Sequence, residues 1–279
     1  MAGKLSLFIG VLFALATGAV RAEEPGYAFS VSNQRSPTLS AQYWNPILAY
    51  VHKKSGVALR LKMGKTSIET TALTIKGEAQ FAYTNHLFTM ERAKLGWKVI
   101  ARPTTDGIRG QIVVPVDSAI NRLEDLDRQN VAFPSAEAYV GYRVPMDILL
   151  RKGIKVSPVF AGNQEGAIGQ MKSGRAAAAG VNEDVMAAFA KREKLAYRVI
   201  WSSEEYKDLP IMVSPSVPEA DARAVQQAFI GMLANPEGKK ILEQGAQLLK
   251  LEHPVGFIAA SDKDYENYRE FHRKTVLKD

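Results

Sequence analysis

The stretch YAFSVSNQRSPTLSAQYWNPILAYVHKKSGVALRLKM, residues 27–63, contains the pattern that decides the fold. It begins with YAFSVS, which is rich in β-prone residues and predicts a strand. Ser36-Pro37 then predicts the start of a helix, because Ser caps helix N-termini and Pro fits the first helical position. We expect the helix to run to Lys54 and to stop at Gly56, and Val57–Met63 predicts a second strand. This order of strand, helix and strand is typical of a βαβ unit.

The same alternation of strand and helix continues along the chain. It occurs in two runs, residues 29–108 and 109–205, and a third segment follows. Strands that alternate with helices predict parallel sheets, so we expect an α/β fold with two doubly wound lobes and a ligand cleft between them. Within the first run, His86–Leu95 predicts a helix, and Pro46 is expected to kink or split the helix that contains it. Arg175–Val181 is assigned as a strand from its context alone, since its alanines suit a helix equally well.

The composition excludes several classes of protein. The 279 residues include no cysteine, which excludes zinc fingers, iron–sulfur clusters, thiol catalysis and disulfide frameworks. Lysine and arginine number 36 against 29 acidic residues, and the formal net charge of +7 favours an anionic partner only weakly. The charges are mixed in sign, with no basic stripe interleaved with aromatic residues. We therefore expect no binding to nucleic acid.

The first 22 residues have the layout of a secretory signal peptide. A basic start at Met1–Lys4 precedes the apolar run Leu5–Val20, and Val20-Arg21-Ala22 suits cleavage after Ala22. The run of 16 residues is shorter than a transmembrane helix, which needs roughly 20, although an uncleaved anchor is the alternative. Cleavage would leave residues 23–279 with a net charge of 34 − 29 = +5. We expect a freely diffusing periplasmic monomer.

No enzymatic motif has the spacing that it needs. Gly64-Lys65-Thr66 is similar to the end of a phosphate-binding P-loop, but Leu59 stands where such a loop needs a glycine. None of the four histidines has a partner at metal-ligand spacing. Glu183-Asp184 could form a metal pair, but a helix N-terminus that favours acidic residues is the preferred explanation. We therefore expect a binding protein rather than an enzyme, with no metal and no cofactor.

Several segments share one family resemblance. They are 43–48 (YWNPIL) with 55–57 (SGV), 76–83 (KGEAQFAY), 111–126 (QIVVPVDSAINRLEDL), 131–133 (VAF) with Gly141-Tyr142 and Pro145, and 201–203 (WSS) with Leu209-Pro210. In this order and spacing they resemble the phosphonate/phosphite/phosphate-binding proteins of ABC importers. The resemblance covers most of the chain after the predicted signal peptide.

The resemblance implies a type II periplasmic binding protein, in which two α/β lobes are joined by a two-strand hinge. We expect lobe 1 over residues 23–108, lobe 2 over 109–205, a return to lobe 1 over 206–255 and a C-terminal helix within 256–279. Ligand is expected to close the lobes about the hinge, and the closed form to dock on an ABC permease in the inner membrane. Helix N-termini in such a cleft suit anions, because their backbone N–H groups are unpaired.

The loop that would bind a phosphonate departs from the family pattern. Family members have Ser-Thr-Ser-Gly where this chain has Ala138-Tyr139-Val140-Gly141, and the family's Gly-His is Gly162-Asn163. An acidic residue of the family falls at about Ala177, and an aromatic one close to Ser67. Three such losses would remove most of a micromolar affinity, which is about 8 kcal/mol in total. Either other side chains compensate, or the ligand is not a phosphonate.

Candidate ligand-binding residues are inferred from the loops that follow the strands, because ligands of open parallel sheets bind beyond the carboxyl ends of the strands. These residues are Arg35, Ser36, Tyr43, Thr66, Ser67, Tyr83, Thr84, Asn85, His86, Ser135, Glu137, Tyr139, Tyr142, Asn163 and Asn182. Arg35 could pair with a ligand anion or be a solvated surface arginine. Glu137 would repel an anion and favours an amine or zwitterion, unless it only stabilises a helix N-terminus. Others could instead cap a helix or pack in the core: Tyr43, Thr66, Ser67, Tyr83 and His86.

The sequence therefore predicts a periplasmic solute-binding protein of an ABC importer. It would capture a small anionic solute, a phosphonate, phosphite or phosphate-like oxyanion or a related small polar ligand, and deliver it to a permease. A ligand sensor that signals to a membrane kinase is the alternative, since it would share the fold and the site. An exported enzyme on the same fold is disfavoured, because no nucleophile, base or metal constellation occurs.

Overall fold

The computed structural model describes residues 26–277, so the predicted signal peptide lies outside the described residues. The strands are β1 (Tyr27–Val31), β2 (Leu59–Lys62), β3 (Phe81–Tyr83), β4 (Lys98–Pro103), β5 (Gly110–Pro115), β6 (Asn130–Phe133), β7 (Ser157–Phe160), β8 (Ala178–Asn182), β9 (Tyr197–Ser202), β10 (Ile211–Val213) and β11 (Phe257–Ala259). The helices are α1 (Pro37–Ser55), α2 (Ser67–Ile75), α3 (Val144–Arg151), α4 (Gln164–Lys172), α5 (Glu183–Glu193), α6 (Glu219–Ile230), α7 (Pro236–Leu249) and α8 (Glu266–Lys274). In the part of the chain that the structure describes, every helix is too short or too polar to cross a bilayer.

A six-stranded sheet in the order β11-β4-β10-β3-β1-β2 forms the centre of the first lobe. β1 lies parallel to β2 and β3, with Phe29 opposite both Leu61 and Phe81. β10 runs antiparallel to β3 and β4, and β11 runs antiparallel to β4. The sheet is therefore mixed rather than wholly parallel, because β10 enters it from the other lobe.

A five-stranded sheet in the order β7-β6-β8-β5-β9 forms the centre of the second lobe. β6 lies parallel to β7 and β8, while β5 is antiparallel to β8 and β9. The chain enters this lobe between β4 and β5 and leaves it between β9 and β10. Ile108 and Tyr206 pair these two crossings through backbone hydrogen bonds of 2.7 and 2.9 Å. The predicted two-strand hinge is thus confirmed.

α1 follows the sequence prediction except at its proline. Ser36 caps it by accepting the Leu39 N–H at 3.3 Å, and Gly56 ends it in the left-handed conformation at φ 74°. The helix is continuous over 19 residues through Pro46, so the expected split does not occur. Burial of Trp44 beside Pro46 explains this result, because its ring packs against the strands and holds the helix on the sheet.

The predicted helix His86–Leu95 is wrong over most of its length. Only Arg92–Leu95 forms a turn of 3₁₀ helix. The His86 N–H bonds to the Thr84 hydroxyl at 3.1 Å, and the Arg92 guanidinium donates to the His86 carbonyl at 3.0 Å. These side-chain hydrogen bonds give the backbone an alternative to the helical ladder.

The C-terminal segment, residues 262–277, contacts both lobes. Tyr265 and Tyr268 are fully buried in the first lobe, and Tyr265 stacks on Phe88 at 5.1 Å. Beyond α8, the Thr275 hydroxyl donates to Asp147 of α3, in the second lobe, at 2.8 Å. This segment is therefore a third link between the lobes, beside the two hinge crossings.

Candidate ligand-binding site

Two neighbouring cavities lie between the lobes, where the loops after β1, β3, β6 and β8 meet. The larger, about 70 Å³, is lined by Arg35 and is called the Arg35 cavity. The smaller, about 30 Å³, is lined by Asn33 and is called the Asn33 cavity. Gln34 and Asn182 line both cavities, so the two adjoin. This is the position expected for a ligand at the carboxyl ends of parallel strands.

The Asn33 cavity lies against the start of the helix that follows β6. Residues 138–140 line it, and Tyr139–Arg143 form a π-helical turn that continues into α3. The backbone N–H groups of Tyr142 and Arg143 both donate to the Ala138 carbonyl, and these are the first hydrogen bonds of the turn. The N–H groups of residues 139–141 therefore precede the helical ladder, and the positive end of the helix dipole lies at the cavity.

Two side-chain amides of the Asn33 cavity have fixed orientations. Asn182 Oδ1 accepts the backbone N–H groups of Asp184 and Val185 at 2.9 and 3.2 Å. Gln164 Oε1 accepts the Asn182 N–H at 3.1 Å. Because both carbonyl oxygens are occupied, Asn182 Nδ2 and Gln164 Nε2 remain as donors for a ligand.

The Arg35 cavity contains one basic and two acidic side chains. Burial raises the pKa of Asp208 to about 6, although the Leu209 N–H, which donates to it at 2.7 Å, opposes this shift. Burial also raises the pKa of Asp184, and the charge of Arg35 opposes it. Neither carboxylate forms a salt bridge of 4.0 Å or less with the Arg35 guanidinium. That guanidinium donates to the Gln34 side chain at 3.3 Å. Residues 26–277 bring together no set of three metal-ligating side chains.

Tyr43 and Tyr83 line the Arg35 cavity and also pack in the core. Burial raises the pKa of Tyr43 to about 12 and that of Tyr83 well above its ordinary value, so both hydroxyls are neutral donors. The Tyr83 hydroxyl donates to Asp208 at 3.3 Å. Both rings pack against Trp44, with centroid distances of 5.5 and 4.8 Å. The core and ligand-facing interpretations of these tyrosines are therefore compatible.

Glu137 lines neither cavity and lies instead in a cross-lobe cluster with Thr71, His86 and Arg92. Its Oε1 accepts a hydrogen bond from Arg92 at 2.6 Å, and its Oε2 lies 3.4 Å from His86 Nδ1. That ring nitrogen is 2.8 Å from the Thr71 hydroxyl. Burial alone would raise the pKa of Glu137, but His86 and Arg92 outweigh it and lower the pKa to about 2. The charge is compensated inside the protein, so Glu137 itself gives no reason to expect an amine ligand.

Tyr139 stands where the family pattern has a hydroxyl residue, and its ring is committed to packing. It is 3% exposed. The ring centroid lies 4.2 Å from that of Tyr268, 5.0 Å from Tyr206 and 5.1 Å from Phe271. The side chain thus fixes the start of the helix against the C-terminal segment.

The structure brings eight of the predicted site residues to the cavities: Arg35, Tyr43, Ser67, Tyr83, Asn85, His86, Tyr139 and Asn182. The other seven line neither cavity: Ser36, Thr66, Thr84, Ser135, Glu137, Tyr142 and Asn163. Three of these seven cap α1, α2 and α4 through side-chain oxygens: Ser36, Thr66 and Asn163. Tyr142 packs between the rings of Phe133 and Phe160, each at 5.0 Å.

The post-strand loops in which ligand contacts are expected also contain Asn33, Gln34, Gln164 and Asp184, which line the cavities but are not among the fifteen candidates. Asp208 lines the Arg35 cavity as well and lies outside those loops. For Asp184 the sequence leaves a metal pair with Glu183 or a helix start, of which the helix start is the preferred explanation. No signal marks Asp208, because it precedes a return strand and reaches the cavity through tertiary packing.

The comparison with protein families decides the assignment. A family model described as "ABC transporter, phosphonate, periplasmic substrate-binding protein" matches residues 29–265. The chain belongs to this family. As a phosphonate-type substrate-binding protein, it is a periplasmic transport component with a small-molecule ligand and a membrane permease as partners. The family resemblance of the sequence motifs is thereby confirmed.

Solved structures of substrate-binding proteins share the fold. PhnD1 from Prochlorococcus marinus, in complex with methylphosphonate, has a TM-score of 0.76 and 18% identity over 89% of this chain and 97% of its own. A binding protein component of an ABC phosphonate transporter from Pseudomonas aeruginosa has a TM-score of 0.76 and 16% identity over 89% and 87%. An ancestral arginine-binding protein bound to arginine has a TM-score of 0.59 and 19% identity over 78% and 97%. These identities show the shared two-lobed fold alone. No curated protein matches the sequence at a significant level.

Proposed function

We propose that this protein captures a small phosphonate-type oxyanion that carries an ammonium group and delivers it to an ABC permease. One observation carries the proposal: two unlike subsites adjoin in the cleft. The Asn33 cavity offers backbone and amide N–H groups, and the Arg35 cavity holds two carboxylates beside one guanidinium. A zwitterion can satisfy both subsites at once.

The anionic end of the ligand fits the Asn33 cavity. None of the described residues that line this cavity is acidic. The start of the π-helical turn supplies N–H groups and about half a positive charge from the helix dipole. Asn182 and Gln164 add side-chain donors whose orientation is already fixed. These groups compensate for the hydroxyl side chains that the family loop has lost.

The cationic end fits the Arg35 cavity. Asp184 and Asp208 together carry more negative charge near neutral pH than the single Arg35 offsets. The raised pKa values of both acids mean that each carboxylate is under-solvated, and an ammonium group would relieve that cost. The Tyr83 hydroxyl is already directed to Asp208, so Asp184 is the more available partner.

Isothermal titration calorimetry tests both ends separately. We expect 2-aminoethylphosphonate to bind at least about tenfold more tightly than methylphosphonate at pH 7.5. The reason is that its ammonium group adds one charge-assisted hydrogen bond, which is enough for a difference of this size. Asp184→Asn should reduce its affinity to that of methylphosphonate and leave methylphosphonate unchanged. Asp117→Asn, at an exposed position in the second lobe, is the matched control and should change neither.

Two outcomes would contradict the proposal in different ways. Equal affinities for the two phosphonates would reject the ammonium subsite and leave the anion subsite in place. Failure of every phosphonate to bind would reject both. Recovery of the bound compound unchanged, by phosphorus NMR, checks that the protein binds its ligand without turnover.

Export and partnership belong to the same proposal. We expect the mature protein to begin at Glu23, after cleavage behind Ala22, and to be monomeric, which intact-mass and light-scattering measurements check. Loss of phosphonate uptake in a deletion strain supports import. Normal uptake with a lost transcriptional response would support the sensor-kinase alternative instead.

A further inference from the structure

The side-chain carbonyl oxygen of Asn33 is buried without a hydrogen-bond partner among residues 26–277. Asn33 is 4% exposed and lines the Asn33 cavity. Its Nδ2 donates to the Gly64 carbonyl at 3.1 Å. If the Asn33 amide were rotated by 180°, its oxygen would face the Gly64 carbonyl oxygen, and neither atom could donate. Nδ2 is therefore the atom that bonds to Gly64, and Oδ1 is the atom without a partner. A buried acceptor without a donor is destabilising, and this one therefore points to a donor on the ligand.

The groups around this acceptor are donors. Asn182 Nδ2 and Gln164 Nε2 are available because their carbonyl oxygens are occupied. The N–H groups at the start of the π-helical turn lie at the same cavity. The cavity thus combines several donors with one buried carbonyl oxygen that has no hydrogen-bond partner in the part of the chain that the structure describes. A fully ionised oxyanion has acceptors only, whereas a singly protonated phosphonate, phosphite or phosphate has acceptors and one O–H.

We propose that the Asn33 cavity binds the singly protonated form of its oxyanion, with Asn33 Oδ1 accepting the hydrogen bond of the ligand's O–H. This inference rests on the proposed function and adds a rule of selectivity to it. Sulfonates and sulfate carry no proton at neutral pH, so one of their oxygens would face Asn33 Oδ1 with both atoms unpaired. Asn33 is therefore a specificity-determining residue that acts by rejection as well as by attraction.

The ligand's proton must be separated from the titration of the protein. His86 lines the same cavity, and Glu137 lies beside it in the cross-lobe cluster. Arg35, Asp184 and Asp208 face the adjoining cavity. A sulfonate with the shape and single charge of the phosphonate monoanion experiences all of these groups in the same way. The ratio of the two affinities therefore reports on the ligand's proton alone.

Calorimetric titration of the wild-type protein with methylphosphonate and methanesulfonate, across pH 5.5 to 9, is the first test. At pH 6 we expect methylphosphonate to bind at least about 100-fold more tightly, as for a site built to hydrogen-bond a ligand hydroxyl. Above the second pKa of methylphosphonate, this ratio should fall about tenfold per pH unit, because only the monoanion binds. The test needs no substitution, so it does not depend on a variant that folds.

Two variants assign the effect to Asn33. Asn33→Ala removes the acceptor and should bring the affinity ratio close to one, even if both affinities fall. Ser67→Ala removes a hydroxyl from the same cavity and is the matched control. It should shift both affinities together and leave the ratio and its pH dependence intact.

The possible failures are distinguishable. Equal affinities with a pH-independent ratio in the wild-type protein would overturn this inference and leave oxyanion binding in place. Full discrimination by Asn33→Ala would overturn the role of Asn33. Failure of the wild-type protein to bind both methylphosphonate and 2-aminoethylphosphonate would overturn the proposed function itself.

Discussion

Arg92 of the first lobe donates a 2.6 Å hydrogen bond to Glu137 of the second. The side chains are 24% and 11% exposed, so the ion pair is largely shielded from water. It joins the lobes without lining either cavity that we assign to the ligand. We therefore expect the pair to contribute to the balance between open and closed lobes as well as to stability.

Glu137→Gln should lower the free energy of unfolding at neutral pH. It should also make that free energy depend less on pH in the acidic range. The pKa of Glu137 is about 2 against an ordinary 4.5, so the folded protein favours the carboxylate. Its contribution, about 3 kcal/mol, is complete above the ordinary pKa and is lost as the pH falls toward 2. Urea unfolding of both proteins between pH 2 and 7 measures the difference in slope.

The same substitution should also loosen the lobes. Glu165 and Arg192 form an ion pair of 2.9 Å and similar burial within the second lobe, so Glu165→Gln is the matched control. We expect small-angle scattering to give a larger radius of gyration for Glu137→Gln than for Glu165→Gln. Equal radii would show that the cross-lobe pair stabilises the fold without restraining the cleft.

Asp208→Asn should remove a loss of stability that accompanies rising pH. Burial raises the pKa of Asp208 from 3.8 to about 6, so the folded protein holds this proton where the unfolded chain has released it. The Asp208 carboxyl group therefore destabilises the folded protein least below its ordinary pKa. Its destabilising effect grows as the pH rises to 6. Unfolding free energies at pH 4, 5, 6 and 7 should show the variant gaining on the wild type over this interval. A constant difference would contradict the raised pKa.

Gly110→Ala should displace the start of the helix that we assign to anion binding. A Cβ at Gly110 would lie 2.3 Å from the carbonyl oxygen of Val140, which is backbone and cannot rotate away. We expect a loss of about 1–3 kcal/mol in stability and at least about tenfold in methylphosphonate affinity. Gly169→Ala in α4 is the control, since no atom lies within 4 Å of its Cβ. It should keep full affinity and gain about 0.5–1 kcal/mol. Unchanged binding by Gly110→Ala would separate this helix from the ligand.

Tyr139→Ala should destabilise the protein by roughly 3–5 kcal/mol, because it empties the space between the second lobe and the C-terminal segment. Tyr139→Phe keeps the ring and should be neutral or slightly stabilising, because the Tyr139 hydroxyl is buried without a hydrogen-bond partner among residues 26–277. Chemical denaturation of both variants measures the difference. Similar costs for the two would mean that the hydroxyl, rather than the ring packing, fixes Tyr139.

Much of the fold could be predicted because its signals are local. Ser36 and Gly56 bound α1 as expected, and the alternation of strands and helices gave both lobes. The helix expected at His86–Leu95 failed because the Arg92 guanidinium bonds back to the His86 carbonyl. Nor was β11 predicted, since three residues carry too little periodicity and their partner strand is distant in sequence.

The site was harder to predict because a polar side chain after a strand can serve a ligand or its own backbone. Asn182 is suited to both, since its oxygen caps α5 and its side-chain nitrogen donates to no other group among residues 26–277. Asn163 is used only as a cap. The charge of Asp208 and the partner of Glu137 depend on contacts between distant segments, so neither could be predicted before the lobes were placed together.

The C-terminal segment sets a geometric limit on how the cleft can open. Its anchors, Tyr268 in the first lobe and Thr275 in the second, are joined by most of the nine-residue helix α8. As a helix this connection spans about 10 Å, and fully extended it would reach about 24 Å. A wide opening therefore requires α8 to unwind or one anchor to detach. We expect the rate of ligand exchange to follow the local unfolding of a helix that lines neither cavity.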